Sequence, residues 1–212
     1  MSMEKKKGMN LPNKLTVLRV CLVPIFIVVM MLPSSVLPLR ISGLIGVAIF
    51  IAASVTDLLD GKIARRYGLV TDFGKLMDPL ADKFMVIGAL AVIVYRTEPG
   101  FSRLFFTLVL LVVIFRELAV TSLRLVASTS AGAVVAANLL GKIKTVTQIV
   151  FIGSVFIEPL LYSISFVNGF LPAWWVANTP ITYTAGTLTL LFTIWSGINY
   201  FAIMWKYLDP EK

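Results

Sequence analysis

Four aspartates could do chemistry together: Asp57, Asp60, Asp78 and Asp82. The first two stand i, i+3 and the last two i, i+4, so on helices each pair shares one face. A short connection joins the two segments. The helices are then antiparallel neighbours, and four carboxylates can converge at one depth. Both pairs adjoin long apolar runs. Negative charges gathered at the edge of hydrocarbon repel one another and are costly without cations. A bound divalent metal removes that cost, and an all-oxygen ligand set suits a hard ion, Mg²⁺ or Mn²⁺. The alternative is four solvated aspartates on a loop, paired with Lys62, Arg65 and Lys75. The small neighbours argue against it. Gly61 leaves the backbone open to close approach, and Ala64 lies one turn from Asp60 on the same face. That shape suits a bulky, flat ligand.

The chain has no histidine. Histidine acid–base chemistry, phosphohistidine intermediates and the usual zinc sites are therefore excluded.

The elements that must position these residues are written in the composition. Of 212 residues, 58% are hydrophobic and only 14% charged, with a mean hydropathy of +0.91. One core of this size cannot hide so much apolar surface, so part of it faces lipid. Six apolar segments follow, roughly Leu15–Leu32, Ile41–Asp60, Pro79–Tyr95, Phe105–Val126, Val146–Ile164 and Ile181–Trp205. Lipid cannot satisfy an open backbone and no segment alternates like a barrel strand, so each predicts a helix near the roughly 20 residues needed to cross.

The expected fold is all-α, a polytopic membrane protein with six transmembrane helices and both termini cytoplasmic. With the N-terminus inside, all but Arg40, Arg96 and Arg103 of the 19 lysines and arginines fall at or near the inner side. The expected organisation is a basic cytoplasmic segment (residues 1–14), a six-helix membrane domain (15–206) and a cytoplasmic tail (207–212). No small-residue cleavage site follows the first apolar run, so it reads as a retained span rather than a signal peptide. Trp174 and Trp175 suit an outer interfacial anchor. The net charge of +8 is accounted for by topology and anionic lipid, not nucleic acid. Cys21 is the only cysteine, so no intrachain disulfide exists.

The full spacing resembles a known signature. Asp57-x-x-Asp60-Gly61-x-x-Ala64-Arg65, eight residues, then Gly74-x-x-x-Asp78-x-x-x-Asp82 is similar to the CDP-alcohol phosphotransferase motif at every fixed position. The stretches Leu11–Arg19, Arg116–Arg124 and Gly141–Thr145 look like blocks of the bacterial phosphatidylglycerophosphate synthase branch. The resemblance implies transfer of the phosphatidyl group of CDP-diacylglycerol to sn-glycerol 3-phosphate, giving phosphatidylglycerophosphate and CMP. It implies a homodimer in a bacterial cytoplasmic membrane, multi-pass, with its active site facing the cytoplasm.

By the same resemblance Asp57, Asp60, Asp78 and Asp82 hold the metal, and Asp82 is also the general base. Gly61, Ala64, Arg65 and Gly74 line the CDP pocket, with Asn13, Thr16 and Arg19 bordering it. The residue chemistry agrees. Attack at phosphorus needs charge neutralised on the oxygens, which metal supplies, and with no histidine a carboxylate is the natural proton acceptor. A phosphorylated acceptor needs cations of its own. Arg116, Arg124, Lys142 and Lys144 are the candidates, arginine for bidentate contact and lysine as a point charge. An ion pair between Arg116 and Glu117 is the competing reading. The donor's acyl chains must stay in lipid while CMP exchanges with water, which predicts a polar pocket at the inner interface and an apolar groove beside it.

Two rivals remain. A sibling enzyme would use another acceptor, such as inositol phosphate, serine or a lipid alcohol. The core motif cannot choose between them. A divalent-cation transporter would place its carboxylates near mid-membrane with polar relays beyond. Here the aspartates gather at one end, and Glu158 is the main polar group in the outer halves.

Overall fold

A computed structural model describes residues 9–68, 71–130 and 139–205, apart from the side chains at 39, 58, 60–62, 64, 65, 75, 127–130, 165 and 168. Residues 1–8 of the basic segment, and the tail from 206, lie outside this description. Among the described residues the chain is all-α: α1 (Leu11–Met31), α2 (Leu39–Tyr67), α3 (Asp72–Arg96), α4 (Phe101–Ser130), α5 (Leu139–Tyr162), two short helices α6 (Ser165–Phe170) and α7 (Ala173–Asn178), and α8 (Pro180–Met204). Helices α1, α2, α4, α5 and α8 contain stretches long and apolar enough to cross a membrane. The chain is a multi-pass membrane protein. Helix α3 has the length, but Asp72, Lys75, Asp78, Asp82 and Lys83 crowd its first half and keep it out of that group. Large side chains such as Phe115 and Ile198 stay exposed along the helices, as lipid-facing residues do.

The helices run further than the apolar segments. Helix α2 continues past Asp60 to Tyr67, and α3 starts seven residues before Pro79. The connection is therefore only residues 68–71. Gly68, at φ +63°, ends α2 in the left-handed conformation that glycine adopts without strain. Both halves of the aspartate motif thus lie on helix, near the ends that face this turn.

Contacts divide the chain into two units, residues 1–88 and 89–212. In the first, α1 packs along α2. Asn10 caps α1 by accepting from the Asn13 N–H at 3.1 Å, and Pro12 sits in the first turn, where its missing N–H costs nothing. Phe26 and Phe50, both buried, bring their rings to 6.5 Å. In the second unit α8 packs against both α4 and α5. Gly186 permits this: a Cβ there would stand 2.7 Å from Phe105 and 3.0 Å from Phe151. Phe105, Phe106, Phe151 and Tyr183 form the aromatic core around it.

Glu158, buried on α5, fixes the start of α8. Its carboxylate accepts from the Tyr162 hydroxyl at 2.5 Å and from the backbone N–H groups of Ile181 at 3.2 Å and Thr182 at 2.7 Å. Thr179 provides no side-chain cap, so a carboxylate from another helix satisfies the first-turn donors. Glu158 is thus a structural group rather than a relay. Trp174 and Trp175 lie on α7, beside this junction, and Trp174 is exposed.

Candidate active site

The acidic candidates belong to the first unit. Asp57 is held by Arg19, whose Nη1 lies 2.7 Å from Oδ1. The guanidinium is fully buried while the Asp57 side chain keeps 41% exposure. Arg19 therefore grips one carboxylate oxygen from below and leaves the group open to solvent or ligand. Asp78, on α3, accepts from the Thr16 hydroxyl at 2.6 Å. The Pro12 carbonyl lies 3.2 Å from the same hydroxyl. Its single proton favours the shorter bond to the charged acceptor. Thr16 is buried and Asp78 partly exposed, so Asp78 too is positioned from the protein side.

A second chain of bonds sets the start of α3. The Gly74 N–H donates to Thr71 Oγ1 at 3.1 Å, and the Thr71 hydroxyl donates to Asn13 Oδ1 at 2.9 Å. Thr71 is thus an N-cap whose own proton ties α3 to α1. A Cβ at Gly74 would stand 3.3 Å from Asn13 Oδ1 and 3.6 Å from Asp78 Oδ2, so only glycine lets these helices close without displacement. Sequence reasoning missed Thr71. Its signal was a threonine just before an acidic first turn.

Of the residues expected at CDP, Asn13, Thr16 and Gly74 meet around Asp78, and Arg19 stands under Asp57. Asp60, Gly61, Ala64 and Arg65 lie on α2, but their side chains are outside the described residues. Asp82 lies one turn beyond Asp78 on the same face of α3, partly exposed. Among the described residues, which lack the Asp60 side chain, no three acidic, histidine or cysteine side chains group as a metal site. The donor set nevertheless fits a hard cation. Asp57 and Asp78 are carboxylates that each have one oxygen fixed by a buried donor while the side chain stays partly exposed.

The chain matches the CDP-alcohol phosphatidyltransferase family over residues 9–195. It belongs to that family. A CDP-diacylglycerol–glycerol-3-phosphate 3-phosphatidyltransferase of Bacillus subtilis (strain 168) is 40% identical over 212 residues, covering 96% of this chain and 99% of the relative. The protein of the same name from Haemophilus influenzae is 33% identical over 195 residues, 92% of each chain.

The cationic candidates belong to the second unit, where the structure separates them. Arg116 on α4 and Lys144 on α5 converge on Glu117: Arg116 Nη1 donates to Glu117 Oε1 at 3.1 Å, and Lys144 Nζ donates to the same oxygen. Arg116 Nη2 donates to Ser196 Oγ on α8 at 2.6 Å. The ion pair weighed as a competing reading for Arg116 is present, and Lys144 shares it. Arg124 stands apart, donating to the Tyr200 hydroxyl at 2.9 Å with its charge 5.6 Å from the ring centre. Lys142 is exposed, two residues from buried Lys144 and on another face of α5. An apolar groove of about 690 Å³ runs between α4 and α8, walled by Leu111, Phe115, Ile194, Ile198 and Trp205, with Arg116 at its side.

Proposed function

We propose that this chain transfers the phosphatidyl group of CDP-diacylglycerol to sn-glycerol 3-phosphate, releasing CMP and phosphatidylglycerophosphate. The observation that carries this reading is near-full-length similarity to the Bacillus subtilis enzyme of that name. The aspartate spacing supplies the chemistry. In this reading α3 is the sixth span, about 37 Å long at the usual helical rise, and its charged half lines the site instead of meeting lipid. Both termini and the acidic ends of α2 and α3 face the cytoplasm of a bacterial cell, and the enzyme works as a homodimer.

Asp57, Asp60, Asp78 and Asp82 would hold Mg²⁺ or Mn²⁺, which when bound neutralises charge on the pyrophosphate oxygens. Arg19 and Thr16 keep the carboxylates of Asp57 and Asp78 in place before substrate arrives, so little reorganisation is needed. Gly61, Ala64 and Gly74 leave space for the nucleotide, and Arg65 meets phosphate. Asp82 accepts the proton of the acceptor hydroxyl. The freed oxygen bonds to the phosphorus that bears the diacylglycerol, and the bond from that phosphorus to CMP breaks. Arg116 and Lys144 receive the acceptor's phosphate, with Arg124 and Lys142 as further cations on its approach.

The test supplies purified enzyme with CDP-diacylglycerol and glycerol 3-phosphate, serine or inositol phosphate in turn, and measures CMP release. Turnover with glycerol 3-phosphate alone is expected. Turnover only with another alcohol would overturn the acceptor, and ion uptake into vesicles with no CMP release would overturn the reaction class.

A further inference from the structure

We propose that Glu117 is a positioning residue for the acceptor's phosphate, acting through Arg116 and Lys144; this rests on the acceptor reading given above. Two cations from different helices meet at one carboxylate oxygen. Lys144 and Arg116 are almost wholly buried, with side chains 7% and 10% exposed. Two such charges alone would repel, and each would carry a large desolvation cost within a membrane-spanning helix. Glu117 offsets both and leaves the trio with one net positive charge. It also freezes two long, rotatable stems that would otherwise lose their freedom only when substrate binds.

The arrangement leaves donor capacity unused. Arg116 spends Nη1 on Glu117 and Nη2 on Ser196, while its buried Nε–H finds no acceptor among the described residues. An unsatisfied charged donor in a buried place is expensive unless a ligand completes it. Two glycines border this side chain: a Cβ at Gly197 would make an ordinary contact with Arg116 Cγ at 3.4 Å, and one at Gly141 would lie 3.8 Å from Nη2. A small dianion such as a phosphate monoester supplies an acceptor for that Nε–H and negative charge beside the two cations. Glu117 itself would not touch the phosphate.

The experiment compares wild type, Glu117→Gln, Glu117→Asp, Lys144→Met and Glu117→Gln combined with Lys144→Met, all in full-length enzyme, by CMP release at varied substrate concentrations. Glu117→Gln should raise KM for glycerol 3-phosphate about tenfold, with kcat and KM for CDP-diacylglycerol within about twofold. Glu117→Asp keeps the charge but draws the shared oxygen back by one methylene. It should raise the same KM severalfold, and it decides the matter if the glutamine variant does not fold. In the double variant the glutamine change should add less to Lys144→Met than it costs in the wild type, because only the part that passes through Arg116 remains. Equal weakening of both substrates, loss of kcat at unchanged KM, or additive effects in the double variant would overturn the proposal. A wild type that ignores glycerol 3-phosphate would overturn the acceptor reading instead.

Discussion

Replacing Thr16 with valine isolates one bond at the centre of the acidic site. Valine matches threonine in shape, and position 16 is 1% exposed, so packing around it stays nearly the same. What disappears is the 2.6 Å hydrogen bond to Asp78. Bonds to a charged acceptor contribute about 1.5–3 kcal/mol. Asp78 is partly exposed, so water recovers some of the loss and the lower end applies. A cost of about 1.5 kcal/mol is roughly tenfold in an equilibrium constant. The cost should fall on the liganded site, because the bond fixes the orientation of a carboxylate that metal must meet. The half-saturating concentration of Mg²⁺ or Mn²⁺, read from CMP release at saturating substrates, should therefore rise about tenfold, while thermal stability in detergent changes little. Thr16→Ser keeps the hydroxyl and should restore most of the metal affinity. A valine variant with wild-type metal dependence would show that the hydroxyl does not position Asp78, and the role given to α1 would fall with it.

Other outcomes follow from the same structure. Chelation should abolish turnover, and Mg²⁺ or Mn²⁺ should restore it; full activity after exhaustive chelation would remove the metal from the reading. Asp82→Asn should reduce kcat by at least about a hundredfold while CDP-diacylglycerol still binds, as measured by protection against thermal unfolding. Near-normal turnover in that variant would end the general-base assignment. Glu158→Ala strands the Tyr162 hydroxyl and the two backbone donors at the start of α8, and at about 1–2 kcal/mol each it should lower the melting temperature by several degrees. The surviving folded enzyme should keep both KM values near wild type.

Much of this was legible in the order of residues. The aspartate spacing, the absence of histidine and the apolar segments are local or compositional facts. They lead to an all-helical membrane enzyme of the CDP-alcohol phosphatidyltransferase family without coordinates. Hydropathy placed the third segment from Pro79, yet the helix begins at Asp72. Hydropathy averages out charged residues, whereas the Thr71 cap and backbone hydrogen bonding do not depend on them.

What only the folded chain decided is which polar group holds which. Thr16 meets Asp78 across 62 residues and Thr71 meets Asn13 across 58. Arg19 stands under Asp57, Glu158 reaches over to α8, and Arg116 and Lys144 share one oxygen of Glu117 while nearby Lys142 does not. Helical periodicity tells which residues of one helix share a face, but it carries no information about the rotation and height at which two helices meet. Those are fixed by packing, through close approaches such as Gly74 on α1 and Gly186 against Phe105. A buried charge finds its partner only after the backbones are in place.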